Sequence, residues 1–163
     1  MTIYTVNKDN FEQVLPLIAA YQRFYKAEPN LDNNRAFFSQ FLDDHSRGIL
    51  FIMIDENGQA IGFSTLYFSF SSVSASGLCV LNDLYVIPGV SFSSIRSVGN
   101  KLVLHSFNYA IQNGYHKVCG TTDESNHTAQ RLYNSFLERY KQYHVTKSTL
   151  YEYCAVATTK SIL

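Results

Sequence analysis

Read for the spacing of its apolar positions, the chain switches between two periods. Residues 2–6 (TIYTV) alternate and predict a short strand. From Asp9 the spacing lengthens. Phe11, Val14, Leu15, Ile18, Tyr21 and Tyr25 recur every three or four residues, predicting a helix over 9–26. Pro16 lies inside it and lacks one backbone donor, so a kink or a late helix start is expected. AEPNLDNN (27–34) predicts a loop, and Leu31, Phe37, Phe38, Phe41 and Leu42 mark a second helix ending near Asp44.

A strand-like pattern then returns. Residues 48–54 and 60–70 predict two strands joined by a hairpin turn at Asp55-Glu56-Asn57-Gly58. The Ser-rich segment 71–77 predicts a longer hairpin loop, and 78–87 a third strand that Pro88 ends. From 94 to 113 the pattern is helical, with Ile95, Val98, Leu102, Ser106 and Ala110 on one face and Asn113-Gly114 as the stop. Residues 116–122 predict a strand, and 125–138 a helix with Ala129, Leu132, Tyr133 and Phe136 inward. Residues 143–146 and 148–156 predict a final strand pair, and 158–163 a frayed tail. The order predicts one α/β domain over 1–163, with helices packed around a single mixed, mostly antiparallel sheet.

Composition narrows the partners. With 46% hydrophobic and 16% charged residues among 163, the chain has the make-up of a globular domain. Thirteen Lys+Arg balance thirteen Asp+Glu, which argues against association driven by a nucleic-acid backbone or an anionic membrane. No apolar run approaches the roughly eighteen residues of a membrane span, and MTIYTVNKDNFEQ lacks the basic start and apolar stretch of a signal peptide. Cys79, Cys119 and Cys154 are widely spaced in apolar segments, without disulfide-framework or zinc-site spacing. They read as buried thiols of a cytoplasmic protein, with no metal expected.

The chemistry concentrates between Leu81 and Phe136. A strand, a loop of small residues and a helix N-terminus follow one another there, and such a turn offers unpaired N–H groups to an anion. Ser93, Ser94 and Ser97 can cap or donate, Gly99 permits close backbone approach, and Arg96 and Lys101 add positive charge. Taken alone this signal is weak, because most helices begin this way.

Three ordered pieces make the block specific. Leu84-Tyr85-Val86-Ile87-Pro88, then Val98-Gly99-Asn100-Lys101-Leu102, then Asn126, Ala129, Leu132 and Tyr133 together resemble the core of the GNAT N-acetyltransferase family. Tyr21, Phe24 and Tyr25 resemble a Tyr-x-x-Phe-Tyr pattern of some of its branches. The resemblance implies a GNAT-like sheet of about six to seven strands with about four helices. It implies transfer of an acetyl group from acetyl-CoA to a primary amine, of a small molecule or a peptide, by direct attack through a tetrahedral intermediate. The cofactor would lie where the strand at 78–87 splays from that at 116–122. Backbone around Leu84, Tyr85 and Val86 would hold pantetheine and polarise the thioester carbonyl, Asn126 would steady the arm, and Ser94, Arg96, Ser97, Val98, Gly99, Asn100 and Lys101 would receive the pyrophosphate.

In the same reading Tyr133 is the general acid for the leaving thiolate; its helical core spacing also suits a packing role. Asp83 is a candidate base, or alternatively an exposed carboxylate on the sheet, while Asn82 points to the opposite face by alternation. The first two helices would wall the acceptor pocket, with Tyr21, Phe24, Tyr25, Phe37, Phe38 and Phe41 as pocket, core or dimer-interface aromatics. His105, His116, His127 and His144 read as surface or structural residues. One departure divides the functional readings. Ser94 stands where the family has Arg or Gln, and Ile95 and Ser97 where it has Gly. The chain is then either an active N-acetyltransferase or a GNAT-fold binding or regulatory module with weak or no CoA binding.

Overall fold

The computed structural model describes residues 1–88, 92–115 and 117–140, with backbone alone for 92–96 and 137. The expected strands at 143–146 and 148–156 and the tail 158–163 lie outside the described residues, as do His116, His144 and Cys154.

The elements are β1 (Thr2–Thr5), α1 (Phe11–Phe24), α2 (Leu31–Ser39), β2 (Gly48–Ile54), β3 (Ala60–Ser71), β4 (Ser76–Val86), α3 (Phe92–Gln112), β5 (Val118–Cys119) and α4 (His127–Arg139). Five strands form one sheet in the order β1-β2-β3-β4-β5, the first four antiparallel in turn and β5 parallel to β4. Among the described residues the count is five strands, lower than the six to seven expected, and the expected strands at 143–146 and 148–156 are not among those residues.

β2 explains the layering. Its sequence GILFIMI is apolar at every position after the glycine because both of its faces are covered. Ile49, Phe51 and Met53 join a core with α3 and α4, whereas Leu50 and Ile52 join a core with α1 and α2. All five are 2% exposed or less. Val98, Leu102, Ser106 and Ala110 are the buried stripe of α3, and the hydroxyls of Ser106 and Ser64 satisfy each other at 3.0 Å.

Local chemistry moved several boundaries. Asn30 caps α2, its side chain accepting the Asn33 N–H at 2.9 Å, so the helix starts inside the stretch that its polar composition marks as loop, and it ends at Ser39 rather than near Asp44. α1 begins at Phe11 with Pro16 inside, exposed, so the helix does not start late. The Ser-rich hairpin is shorter than expected, since β3 runs to Ser71 and β4 resumes at Ser76. In the other hairpin, Asp55 Oδ1 accepts the N–H groups of Asn57 and Gln59, and Gly58 takes φ +79°. Among the described residues, no helix is long and apolar enough to cross a membrane.

Gly62 sets how closely α3 can lie on the end of β4. It pairs with Val86, and a Cβ there would stand 2.7 Å from the Tyr85 carbonyl oxygen and 3.2 Å from Leu102. Backbone on one side and a buried helix on the other leave no soft neighbour to yield. Gly62→Ala is expected to lower the unfolding free energy by about 1–3 kcal/mol. Urea titration checks this: the midpoint should fall at an unchanged slope, and an unmoved midpoint would mean that β4 shifts freely.

Candidate active site

β4 is paired along its whole length to β3 but only at one end to β5. The β5 contacts are Cys79 with Val118 and Val80 with Cys119. Beyond Leu81, the edge of β4 that faces away from β3 has no strand partner among the described residues. The main-chain groups of Leu84 and Val86 point to that open edge, where they can bond to a ligand that enters between the strands, while those of Tyr85, two residues before the Ile87 N–H that donates to Ile61, face β3.

A β-bulge sits just before this stretch. Thr65 pairs with Asp83 and Leu66 with Leu81, which leaves Asn82 as the extra residue. The bulge cancels the alternation that would send residues 82 and 83 to opposite faces. Asn82 Nδ2 instead donates to Asp83 Oδ1 at 3.0 Å, and both side chains line one cavity. The expectation that Asn82 points away is therefore corrected, and so is the reading of Asp83 as an exposed carboxylate, since Asp83 is 7% exposed.

The cavity, of about 170 Å³, lies between α1, α2 and the sheet, and Ile18, Tyr21, Gln22, Phe38, Phe63 and Tyr67 complete its wall. Burial raises the pKa of Asp83, while interactions with Thr65, Asn82 and Tyr21 pull it down only in part. Thr65 Oγ1 is buried and makes no hydrogen bond of good geometry, so it acts as a nearby dipole. The phenols of Tyr21 and Tyr67 are pushed well above their usual range, first by burial and then by the Asp83 charge. Both stay protonated at neutral pH and present hydroxyls to the carboxylate's cavity. Gln22 and Asn34 exchange two side-chain hydrogen bonds of 2.8 Å, fastening α1 to α2 at its rim.

Of the six aromatics expected to wall the acceptor pocket, Tyr21 and Phe38 line it. Phe24 and Tyr25 are 60% and 47% exposed at the end of α1, edge-on to each other. Their spacing puts them one turn too far along the helix to reach the sheet, although the Tyr25 ring meets Tyr21 at 5.0 Å between centroids. Gln22, Phe63 and Tyr67 were missed. The β3 pair was legible as alternate positions of one strand face, but no pattern ties Gln22 to a site.

Tyr133 belongs to the core on the opposite face, against α3, yet its phenol is raised to about 12 by burial and by the proximity of Tyr25. Tyr133 thus lies on the α3 and α4 side of the sheet, and Asp83 in the cavity on the α1 and α2 side.

The expected pyrophosphate residues are redistributed by the early start of α3. With Phe92 as the first helical residue, Ser97 through Lys101 fall beyond the first turn, where amides bond within the helix. Val98 and Gly99 are buried, Val98 in the core and Gly99 where a Cβ would stand 2.7 Å from Leu132 of α4. Asn100 is 4% exposed, and among the described residues its Oδ1 has no hydrogen-bond partner. Val98, Gly99 and Asn100 are thus corrected from phosphate ligands to helix-packing residues. Ser97 and Lys101 are exposed, Ser94 lies in the first turn, where the unpaired N–H groups are, and Arg96 opens the second. Asn126 caps α4, its Oδ1 accepting the Ala129 N–H at 3.0 Å, so its amide group is what remains to face a pantetheine arm.

The remaining candidates are structural. His105 packs edge-on to Phe51 at 4.6 Å, and burial lowers its pKa; His127 is exposed. Cys79 is a buried thiol raised to about 11, and Cys119 is half-buried and unpaired.

Known proteins share this fold. The Acetyltransferase (GNAT) family model matches residues 12–137. An uncharacterized N-acetyltransferase of Bacillus subtilis (strain 168), YhfO, is 34% identical over 133 residues, 82% of this chain and 86% of its own. The crystal structure of a probable acetyltransferase has a TM-score of 0.80 at 23% identity, covering 97% of this chain and 99% of the other. The aminoglycoside N-acetyltransferase AAC(6')-Iy in complex with CoA has a TM-score of 0.75 at 18% identity, with 95% of each chain covered. The matched segment contains both helices that wall the cavity, the bulged strand and Tyr133, and the chain belongs to the acetyltransferase (GNAT) family.

Proposed function

We propose that this protein is an N-acetyltransferase that uses acetyl-CoA to acetylate a primary amine of a small molecule or peptide. The observation that carries the reading is the desolvated Asp83 carboxylate at the floor of an aromatic cavity, beside the open edge of β4. The related AAC(6')-Iy, an aminoglycoside acetyltransferase, binds CoA, and another aminoglycoside acetyltransferase of this fold has been solved with sisomicin, which favours a small-molecule amine.

When bound, acetyl-CoA supplies the activated acyl group. The main chain of Leu84 and Val86, on either side of Tyr85, would hold its arm by hydrogen bonds, and an N–H of this edge would stabilise negative charge developing on the thioester carbonyl. Asn126 contributes its side-chain amide, and the first turn of α3, with Ser94 and Arg96, receives the phosphates. An incoming ammonium is drawn to Asp83 and the rings of Tyr21 and Tyr67. Its proton passes to Asp83, directly or through Tyr21, and the free amine attacks across the β4 edge. Tyr133, protonated at neutral pH, donates to the departing thiolate from the other side.

A second reading, a family member that does not bind CoA tightly, rests on Ile95 and Ser97 in the segment where glycines are usual. Thermal unfolding with acetyl-CoA separates the two. At a hundredfold excess over the dissociation constant, the enzyme reading expects a rise of about 5–10 °C. No rise at millimolar acetyl-CoA favours the second reading.

Tyr133→Phe is expected to lower kcat roughly a hundredfold or more while leaving acetyl-CoA affinity within about twofold. Unchanged turnover would remove Tyr133 as the acid.

Asp83 also gives a test that needs no substrate. Its folded pKa is raised above the ordinary 3.8, so the folded state holds the proton more tightly than the unfolded chain. Its contribution to stability is complete below that value and is lost as pH rises through the folded pKa. Asp83→Asn should therefore melt increasingly above the wild type between roughly pH 4 and neutrality. A difference independent of pH would show that burial does not dominate at Asp83.

A further inference from the structure

The acceptor cavity continues into a second hollow on the same face of the sheet. This one is open, about 310 Å³, and is lined by Phe37, Gln40, Phe41, Arg47 and Tyr67. Tyr67 lines both, so the two adjoin across one side chain. One end of the combined groove holds the Asp83 carboxylate, and the other holds a guanidinium.

Arg47 is poised rather than paired. Among the described residues, no carboxylate lies within salt-bridge distance of it. Asp44, its neighbour in sequence, is bonded by the backbone N–H and hydroxyl of Ser46 at 2.8 and 2.9 Å. Among the described residues, the one side-chain hydrogen bond of Arg47 is long, Nη1 donating to Gln40 Oε1 at 3.4 Å. Gln40 is itself anchored, its Nε2 donating to the Phe37 carbonyl at 2.7 Å. Phe37, half exposed, and Phe41 stand edge-on beside it, and Phe41 meets Tyr67 at 5.6 Å. A guanidinium fork held at the mouth of an aromatic trough suits a carboxylate or phosphate at the end of an apolar body.

We propose that Arg47 forms an oxyanion subsite, and that the acceptor is an amine carrying a carboxylate or phosphate at its far end. The inference rests on the acceptor reading of the Asp83 cavity. The sheet register sets the length. Arg47 O accepts from Phe68 N, and Asp83 pairs with Thr65, so the two backbones are offset by three residues along β3 and two strand spacings across it. That is about 14 Å between backbones, which the inward-reaching side chains shorten to the span of roughly four to eight carbons. Polycationic amines are disfavoured, because they set positive charge against Arg47.

The test uses the wild type and Arg47→Met with unbranched ω-amino acids of these lengths, their methyl esters and the matching ω-aminoalkyl phosphates. Acetylation is measured with acetyl-CoA, and binding by calorimetry. In the wild type the acid should exceed its ester roughly tenfold or more in kcat/KM, mainly through KM, and the ratio should collapse towards one in Arg47→Met. A phosphate preferred over the acid assigns the natural oxyanion as phosphate and equally supports the subsite. Equal behaviour of acid and ester, or a preference that survives Arg47→Met, overturns it. Calorimetry separates this from the transfer reading. Arg47-dependent binding of the acid without acetylation keeps the subsite and sinks the transferase assignment; acetylation of acid and ester alike does the reverse.

Discussion

Everything that can be said about chemistry here depends on β4 being hydrogen-bonded along one edge and bare along half of the other. Backbone amides and carbonyls left unpaired in a protein interior are costly, so a sheet normally closes such a gap. In this protein β5 leaves β4 after two residue pairs. Among the described residues, the main-chain donors and acceptors of Leu84 and Val86 on this edge have no strand partner, and this is where the proposed acetyl-CoA would bind. The close seating of α3 on Gly62 and of α4 on Gly99 holds the helices against the end of β4 without help from β5.

The bulge at Asn82 is the second half of the same device. One extra residue re-aims the strand so that Asp83, rather than lying at a solvated surface, is turned under α1 and α2. Removing the carboxylate from water raises its proton affinity, and the surrounding hydroxyls limit that rise without cancelling it. A buried acid with three partial partners is an unfavourable element of a core, tolerated where chemistry requires it. Tyr133 carries a related burden on the other face, its phenol held protonated by desolvation. The sheet thus keeps the buried carboxylate and the buried phenol apart, the two groups proposed as proton acceptor and proton donor.

The groove from Asp83 past Tyr67 to Arg47 gives this framework a direction. Solved members of the fold include aminoglycoside acetyltransferases, whose structural likeness to this chain is a likeness of fold. The guanidinium at the far end of this groove belongs to the helix–strand junction between α2 and β2. Specificity in such a fold comes from what lines the wall, and here the wall is aromatic in the middle and oppositely charged at its ends.

The sequence by itself determined the order of elements, the apolar faces of β2 and α3, and the motif positions that carry the family resemblance. Those features follow from local period and from residues a few positions apart, which a single chain displays directly. Boundaries were less legible, because one capping side chain, Asn30, or an early first turn in α3 moves them without changing the period. The tertiary structure alone decided the site. It turned Asn82 and Asp83 to one side, took Val98, Gly99 and Asn100 into packing, excluded Phe24 from the cavity, and brought Gln22, Phe63 and Tyr67 into it. The physical reason is that a bulge, a crossing of two helices and the burial of a carboxylate are relations between segments far apart in the chain, set by pairing and packing, and no local period encodes them.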